Sequence, residues 1–155
     1  MTMTANKRRD RGQALVEFSL ILVPFLWILM GIVDLGRGIY VYNGVNQAAR
    51  ELARVTSVHQ CGGGPSCPLG TSSETAQVFG THQNLVPGFG GAGSTVTYAC
   101  TDVTDATVTD LYPNGACPSR QFVRVSVSVP FAAVTPFLGG FLPSSLSSAS
   151  HVQIP

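Results

Sequence analysis

Charged residues are scarce in this sequence. Of its 155 residues, 11% are charged and 45% are hydrophobic, which excludes a disordered tail and leaves room for one small folded unit. The net charge of +1 hides an asymmetry, because four basic residues against Asp10 give residues 1–12 a charge of +3 and leave −2 on the remainder. A basic surface for nucleic acid is therefore not expected.

The motifs of common catalytic and nucleotide sites are also missing. There is no G-x-S-x-G and no H-E-x-x-H, and the three histidines are scattered along the chain. The glycine-rich run at residues 88–93 is not followed by Gly-Lys-Ser/Thr, as a phosphate-binding loop would be. We therefore expect no catalytic residue, no cofactor and no enzymatic activity.

The cysteines are few and lie only in the second part of the chain, at Cys61, Cys67, Cys100 and Cys117. An even number in loop-rich sequence favours disulfides in an oxidising compartment. A zinc ribbon is the alternative, but it needs C-x-x-C pairs that are absent here, so no metal is expected. Of three connectivities we predict Cys61–Cys67 and Cys100–Cys117, because each bridge closes a local loop.

One long apolar run is present. Residues 14–33 carry a single charge, that of Glu17, and have about the 20 residues that a membrane-spanning helix needs. The basic cluster before the run predicts that residues 1–12 are cytoplasmic and that the chain after Asp34 is outside. A secretory signal peptide is the alternative, but its apolar region is shorter and ends at a small-x-small site.

The helix is expected to run from Gln13 to about Thr56. Beyond the membrane, apolar or small residues recur at three- and four-residue steps, at Leu35, Ile39, Tyr42, Val45, Ala49, Leu52 and Thr56. Residues 34–58 are thus read as an amphipathic continuation. Residues 59–95 are rich in Gly, Pro and Cys and are predicted to be a variable loop region.

Residues 96–155 are predicted to form a small antiparallel β domain. Val123, Val125, Val127 and Val129 alternate with larger or polar residues, as in a half-buried strand. Shorter strands are expected around residues 96–100 and 150–154. The fold class is therefore α+β, with a long helix packed on a small sheet. The apolar stretch at residues 130–143 either covers the end of the sheet or is an exposed contact surface.

The N-terminal block carries a resemblance to a known family. Arg11-Gly12-Gln13-Ala14-Leu15-Val16-Glu17-Phe18 resembles the cleavage region of type IV prepilins, specifically of the TadE-like family. There a basic leader ends in Gly, a peptidase cuts after it, and Glu stands at the fifth mature position before an aromatic residue. Further resemblance lies in the helix and the chain ending, at residues 31–37, 48–54, 130–131, 135–140 and 147–150.

The resemblance implies a pilin-like minor pilin or pseudopilin of a Tad (tight adherence) pilus system. It implies a single-pass inner-membrane protein that a prepilin peptidase cuts between Gly12 and Gln13. Glu17 and Phe18 would be the assembly positions, although Glu17 could instead reach the lipid headgroups. The implied partners are the peptidase, other pilin-like subunits, Tad inner-membrane assembly proteins and the lipid bilayer, with entry into a surface pilus left open. The alternative is a single-pass cell-surface or adhesion protein with an uncleaved anchor.

Overall fold

A computed structural model of the chain describes residues 4–60, 69–107, 117–135, 138–140 and 142–155, and of residues 4–11 and 138 the backbone alone. Its elements are helix α1 (Thr4–Val58), helix α2 (Ser73–Leu85), strands β1 (Thr95–Thr101) and β2 (Phe122–Pro130), a 3₁₀ turn (Leu138–Gly140) and strand β3 (Ser145–Gln153). The predicted α+β class, a long helix with a small antiparallel sheet, is confirmed.

The chain forms two compact units, and α1 contributes to both. The first unit consists of Met1–Arg37 and Ala133–Leu142, and the second of Gly38–Ala132 and Pro143–Pro155. Most of the apolar stretch at residues 130–143 thus groups with the first part of α1.

Helix α1 begins earlier than the sequence suggested. It starts at Thr4, whereas Gln13 was expected, and it passes through Pro24 to end at Val58. Ala5 and the basic residues after it are good helix formers, so nothing in the leader stops the helix.

The core of the second unit lies between one face of α1 and the sheet. On the sheet side, Val123, Val125, Val127 and Val129 are all fully buried, as their alternation predicted. On the helix side, the small residues Ala48, Ala49 and Ala53 are fully buried together with the larger Val45 and Leu52. The buried residues of this helix face are Val41, Val45, Ala48, Ala49, Leu52 and Ala53.

The predicted apolar stripe of α1 is correct only in its second half. Val45, Ala49, Leu52 and Thr56 are buried, but Leu35, Ile39 and Tyr42 are largely exposed. In the helix turns around Val41 the face toward the core is thus shifted from the predicted phase. The three exposed residues form an apolar strip of their own at steps of four and three.

The sheet has the order β1-β2-β3, with both pairings antiparallel. Val125 of the central strand lies opposite Tyr98 on one side and Ser150 on the other. Strand β3 begins at Ser145, five residues before the first predicted position, and its chain continues the pairing through Ile154 N–H to Gln121 O at 2.9 Å. Ser148 Oγ donates to Asn46 Oδ1 of α1 at 2.5 Å, joining sheet to helix.

Helix α2 lies inside the region that was predicted to be loop. Ser72 caps it, because its hydroxyl accepts a hydrogen bond from Thr75 N–H at 3.1 Å. The helix contains Thr, Ser, Gly and Asn and little apolar periodicity, which concealed it in the sequence. Tertiary contacts stabilise it instead: His82 Nε2 lies 2.9 Å from Glu51 Oε2 of α1, and Phe79 packs on Phe89 with ring centroids 5.0 Å apart.

Gly44 shows how closely α1 and the chain after α2 approach each other. A Cβ at this position would lie 2.7 Å from Val86 Cγ2, so only glycine fits without displacing Val86. Gly38 similarly lies under the ring of Phe131, whose nearest atom would be 3.4 Å from such a Cβ. The contacts of both glycines therefore reflect close packing of α1 against its neighbours in the second unit.

Candidate processing and assembly site

The predicted cleavage segment lies on an open face of α1. Gly12, Gln13, Glu17 and Phe18 are all exposed, and a Cβ added at Gly12 would meet no atom within 4 Å. The absence of a Cβ at position 12 is therefore not required by packing within the chain. Any requirement for glycine there has to come from a partner.

Glu17 has one hydrogen bond within its helix. Gln13 Nε2 donates to Glu17 Oε1 at 3.2 Å, across the four-residue step that brings side chains together on one helix face. The rest of the carboxylate is exposed. In an apolar medium such a group needs further donors or protons, because a charge there is costly.

The apolar run that contains Glu17 is exposed along its length. The large side chains exposed on it include Phe18, Leu20, Ile21, Phe25, Trp27, Ile28 and Ile32. Within the described part of the chain, α1 is the one helix that is long and apolar enough to cross a membrane, over Gly12–Val58. A single apolar N-terminal helix of this kind fits a single-pass membrane anchor.

A second polar site lies at the outer end of this run. Asp34 is 1% exposed and accepts hydrogen bonds from two consecutive backbone N–H groups, Val134 to Oδ1 at 3.0 Å and Thr135 to Oδ2 at 2.8 Å. Both oxygens of the carboxylate are thus used to hold the start of the Ala133–Leu142 segment against α1.

The electrostatics of this site favour the charged form of Asp34. The Thr135 hydroxyl, the Val134 N–H and the Thr135 N–H all donate to the carboxylate, and together they hold the pKa of Asp34 below its ordinary value. Arg37, one turn further along α1, acts in the same direction. Desolvation opposes this shift but is the weaker effect.

The contact between Asp34 and Thr135 was not foreseen from the sequence. The two residues are 101 positions apart, and no local pattern links them. The available signal was chemical: an acid directly after an apolar membrane run needs donors, and Thr135 begins one of the segments that resemble the family ending.

One of the two predicted disulfides lies among the described residues. Cys100 at the end of β1 is joined to Cys117, with a Cα separation of 5.6 Å, within the range that a disulfide requires. Cys61 and Cys67 lie outside the described residues. Among those described, no group of three or more His, Cys, Asp or Glu side chains could hold a metal ion.

Compared with models of protein families, residues 12–54 match the family described as TadE-like protein. The chain carries a TadE-like segment. This segment begins at Gly12, includes Glu17 and Asp34, and extends along α1 to Arg54. Neither the comparison with curated proteins nor that with solved structures gives a match.

The TadE-like segment suggests a pilin-like protein associated with a Tad pilus. The family is a structural pilus component and is not known for enzymatic activity. The same segment holds the exposed apolar run that fits a membrane anchor and the α1 face that is buried in the core of the second unit.

Proposed function

We propose that this chain is a membrane-anchored pilin-like component, a minor pilin or pseudopilin, of a Tad-type pilus assembly system. A prepilin peptidase cuts it once, between Gly12 and Gln13 on the cytoplasmic face. The observation that carries the proposal is that the TadE-like match begins at Gly12, the last residue of the basic leader and an open position on the helix.

The leader supports this proposal through its charge and its backbone. Its basic residues stay in water at the cytoplasmic surface, which places Gly12 just outside the lipid. In the isolated chain the helix runs through the cut site, so a peptidase has to open one turn to reach the peptide bond. Glycine lowers helix stability by about 1 kcal/mol relative to alanine and makes that opening easier.

Cleavage leaves Glu17 one turn from the new N-terminus at Gln13. The positive end of the helix dipole favours an acid there, and the Gln13 amide already donates to it. A neighbouring pilin-like subunit supplies the remaining donors. Glu17 then fixes the axial register between subunits, because a one-turn slip would leave it unpaired in lipid.

The outer part of α1 offers a second surface for such neighbours. Leu35, Ile39 and Tyr42 are exposed beyond the proposed membrane span of residues 13–33, and they form one strip. Apolar side chains of this size on one helix face mark a contact surface. In this layout, the whole chain after Asp34 is extracytoplasmic.

Replacing Gly12 tests the processing step. The Gly12→Leu variant should fold and insert normally, because position 12 lies on the exposed surface of α1 and a Cβ there would meet no atom within 4 Å, but it should retain the leader when expressed with the peptidase. Gly36→Leu is the matched control, since Gly36 lies on the same helix and is equally open. It should be cut like the wild type. Mass spectrometry of the membrane-extracted proteins reports both N-termini.

The competing function is a single-pass surface or adhesion protein with an uncleaved anchor. A wild-type chain that keeps its intact N-terminus in a host with an active peptidase would support that function. Equal cleavage of the Gly12→Leu and wild-type chains would contradict the assigned site.

A further inference from the structure

The first unit contains a half-open groove of about 330 Å³. Leu26, Leu29, Met30 and Val33 of α1 form one wall, and Val134 with the Asp34–Thr135 pair forms the other. All four α1 residues belong to the run that is exposed along its length. The groove is therefore a continuation of the helix surface that faces lipid in the proposed function.

Val134 is placed at the outer edge of that surface. Its side chain is 68% exposed, although its backbone N–H is bound to Asp34, the first residue after the proposed span. An exposed apolar side chain directly beside the end of a membrane helix has lipid as its nearest apolar environment. Residue 134 thus lies where the acyl chains meet the headgroups.

Backbone that is neither helix nor strand is costly at the depth of the lipid headgroups and acyl chains. Backbone N–H groups outside helices and sheets need acceptors, because lipid offers none and an unsatisfied group costs several kcal/mol. Asp34 removes this problem for two successive residues by accepting from both Val134 and Thr135. The same two bonds and the Thr135 hydroxyl compensate the carboxylate for its burial.

We propose that residues 133–135 are a second lipid-contacting element, held by Asp34 against the outer end of the membrane helix so that Val134 enters the outer leaflet. The occupant of the groove is a lipid acyl chain. The inference rests on the proposed membrane anchor. It adds that the chain contacts the membrane at two places far apart in sequence. Two contacts resist tilting of α1 more than a single membrane helix would.

A tryptophan reporter tests this inference in the full chain. Trp27 is first replaced by Phe to remove the intrinsic signal, and Val134→Trp is introduced. The protein is reconstituted in phosphatidylcholine and phosphatidylglycerol vesicles whose acyl chains are brominated close to the headgroup. Val103→Trp in the same background is the control, since Val103 is 85% exposed in the second unit. Flotation of the vesicles measures anchoring separately.

The expected result is blue-shifted emission and strong bromine quenching for the reporter at position 134, with neither at position 103. Adding Asp34→Asn should release the segment and remove most of the quenching at 134, and Thr135→Val should reduce it less, because the backbone N–H remains. Circular dichroism checks that both variants keep their helix.

Three results would overturn the inference. If the reporter at position 134 were as red-shifted and as weakly quenched as the one at position 103 in vesicles that float with the protein, residue 134 would lie in water while the anchor stayed intact. Protection of position 134 from both bromine and aqueous iodide would indicate a second copy of the chain in the groove. Unchanged quenching after Asp34→Asn would show that Asp34 does not hold the segment. Loss of flotation in the wild type would instead contradict the proposed anchor itself.

Discussion

At the scale of single residues, the two acids at either end of the apolar run differ in how the chain satisfies them. Asp34 is buried and uses both oxygens on backbone N–H groups. Glu17 is exposed and has one amide donor from its own helix. The chain thus compensates the charge of Asp34 by itself, whereas in the proposed function the further donors to Glu17 come from another molecule.

Replacement of Glu17 by Gln should weaken association with partner pilin-like subunits while leaving insertion and cleavage largely intact. Glutamine keeps the size and removes the charge that needs donors in lipid. Co-purification or crosslinking with the partners measures the effect, and Glu74→Gln, an exposed carboxylate on α2, is the control. If the Glu17→Gln protein captured its partners normally, the carboxylate would be better explained as reaching the headgroups.

The lowered pKa of Asp34 predicts a pH dependence for the contact of Val134 and Thr135 with α1. Because the folded state favours the charged form, the stabilisation is fully present above the ordinary value of 3.8 and is lost as the pH falls through the lower folded pKa. The Val134→Trp reporter should therefore move into water on acidification below about pH 4. In the Asp34→Asn background its emission should not change over this range. A parallel response of both proteins would assign the change to other groups.

At the scale of elements, the sequence was most informative where one face is buried. The period-two valines of β2 predicted a half-buried strand, and all four are fully buried. The length and composition of the apolar run at residues 14–33 likewise predicted α1, because about 20 consecutive apolar residues are typical of a membrane-spanning helix. These patterns are easy to recognise because the buried face of a strand takes every second residue and that of a helix every third to fourth residue.

Elements that depend on partners distant in sequence were predicted less well. Helix α2 has a good cap but little periodicity, and its stability comes from contacts such as His82 with Glu51, 31 positions away. The predicted burial of the α1 stripe was wrong at Leu35, Ile39 and Tyr42, because these residues are apolar but exposed. Periodicity identifies apolar residues and cannot tell whether their contact lies in the same chain.

The same limit applies to the candidate site. The segment from Gly12 to Phe18 could be read locally, since its motif is contiguous. The Asp34–Thr135 contact joins residues 101 positions apart, and only the fold brings them together.

Two leucines on α1 allow the exposed strip to be tested against the core. Leu52→Ala removes a fully buried side chain and should destabilise the second unit by about 2–5 kcal/mol. Leu35→Ala removes a side chain that is 54% exposed and should change stability by less than about 0.5 kcal/mol, while weakening partner association. Thermal or denaturant unfolding in detergent and co-purification give the two readouts. A large stability loss for Leu35→Ala would contradict the assignment of this strip to partners.

At the scale of the whole molecule, charge and cysteine chemistry both support the orientation proposed above. The positive charge is concentrated in residues 1–12, which favours a cytoplasmic N-terminus. The disulfide between Cys100 and Cys117 is of a kind that persists mainly in oxidising compartments, which agrees with the proposed location of the sheet. A chain inserted with the opposite orientation would keep these cysteines among cytoplasmic reductants, so the oxidation state of this bridge reports orientation.

Neutralising the leader should therefore reduce both export and disulfide formation. A variant with Gln at Lys7, Arg8, Arg9 and Arg11 loses the positive charge next to the span, and a fraction of its chains should insert inverted or remain uninserted. Those chains should carry reduced Cys100 and Cys117 and should resist protease added to spheroplasts. The control replaces Arg50 and Arg54, exposed basic residues on the outer half of α1, by Gln and should be oxidised and digested like the wild type. Alkylation before lysis followed by peptide mapping quantifies the bridge.

Since a disulfide of this kind contributes about 2–4 kcal/mol, the reduced chains should also unfold at lower temperature. Full oxidation and protease sensitivity in the leader variant would show that another feature orients the chain, and the basic cluster would then be needed only for processing.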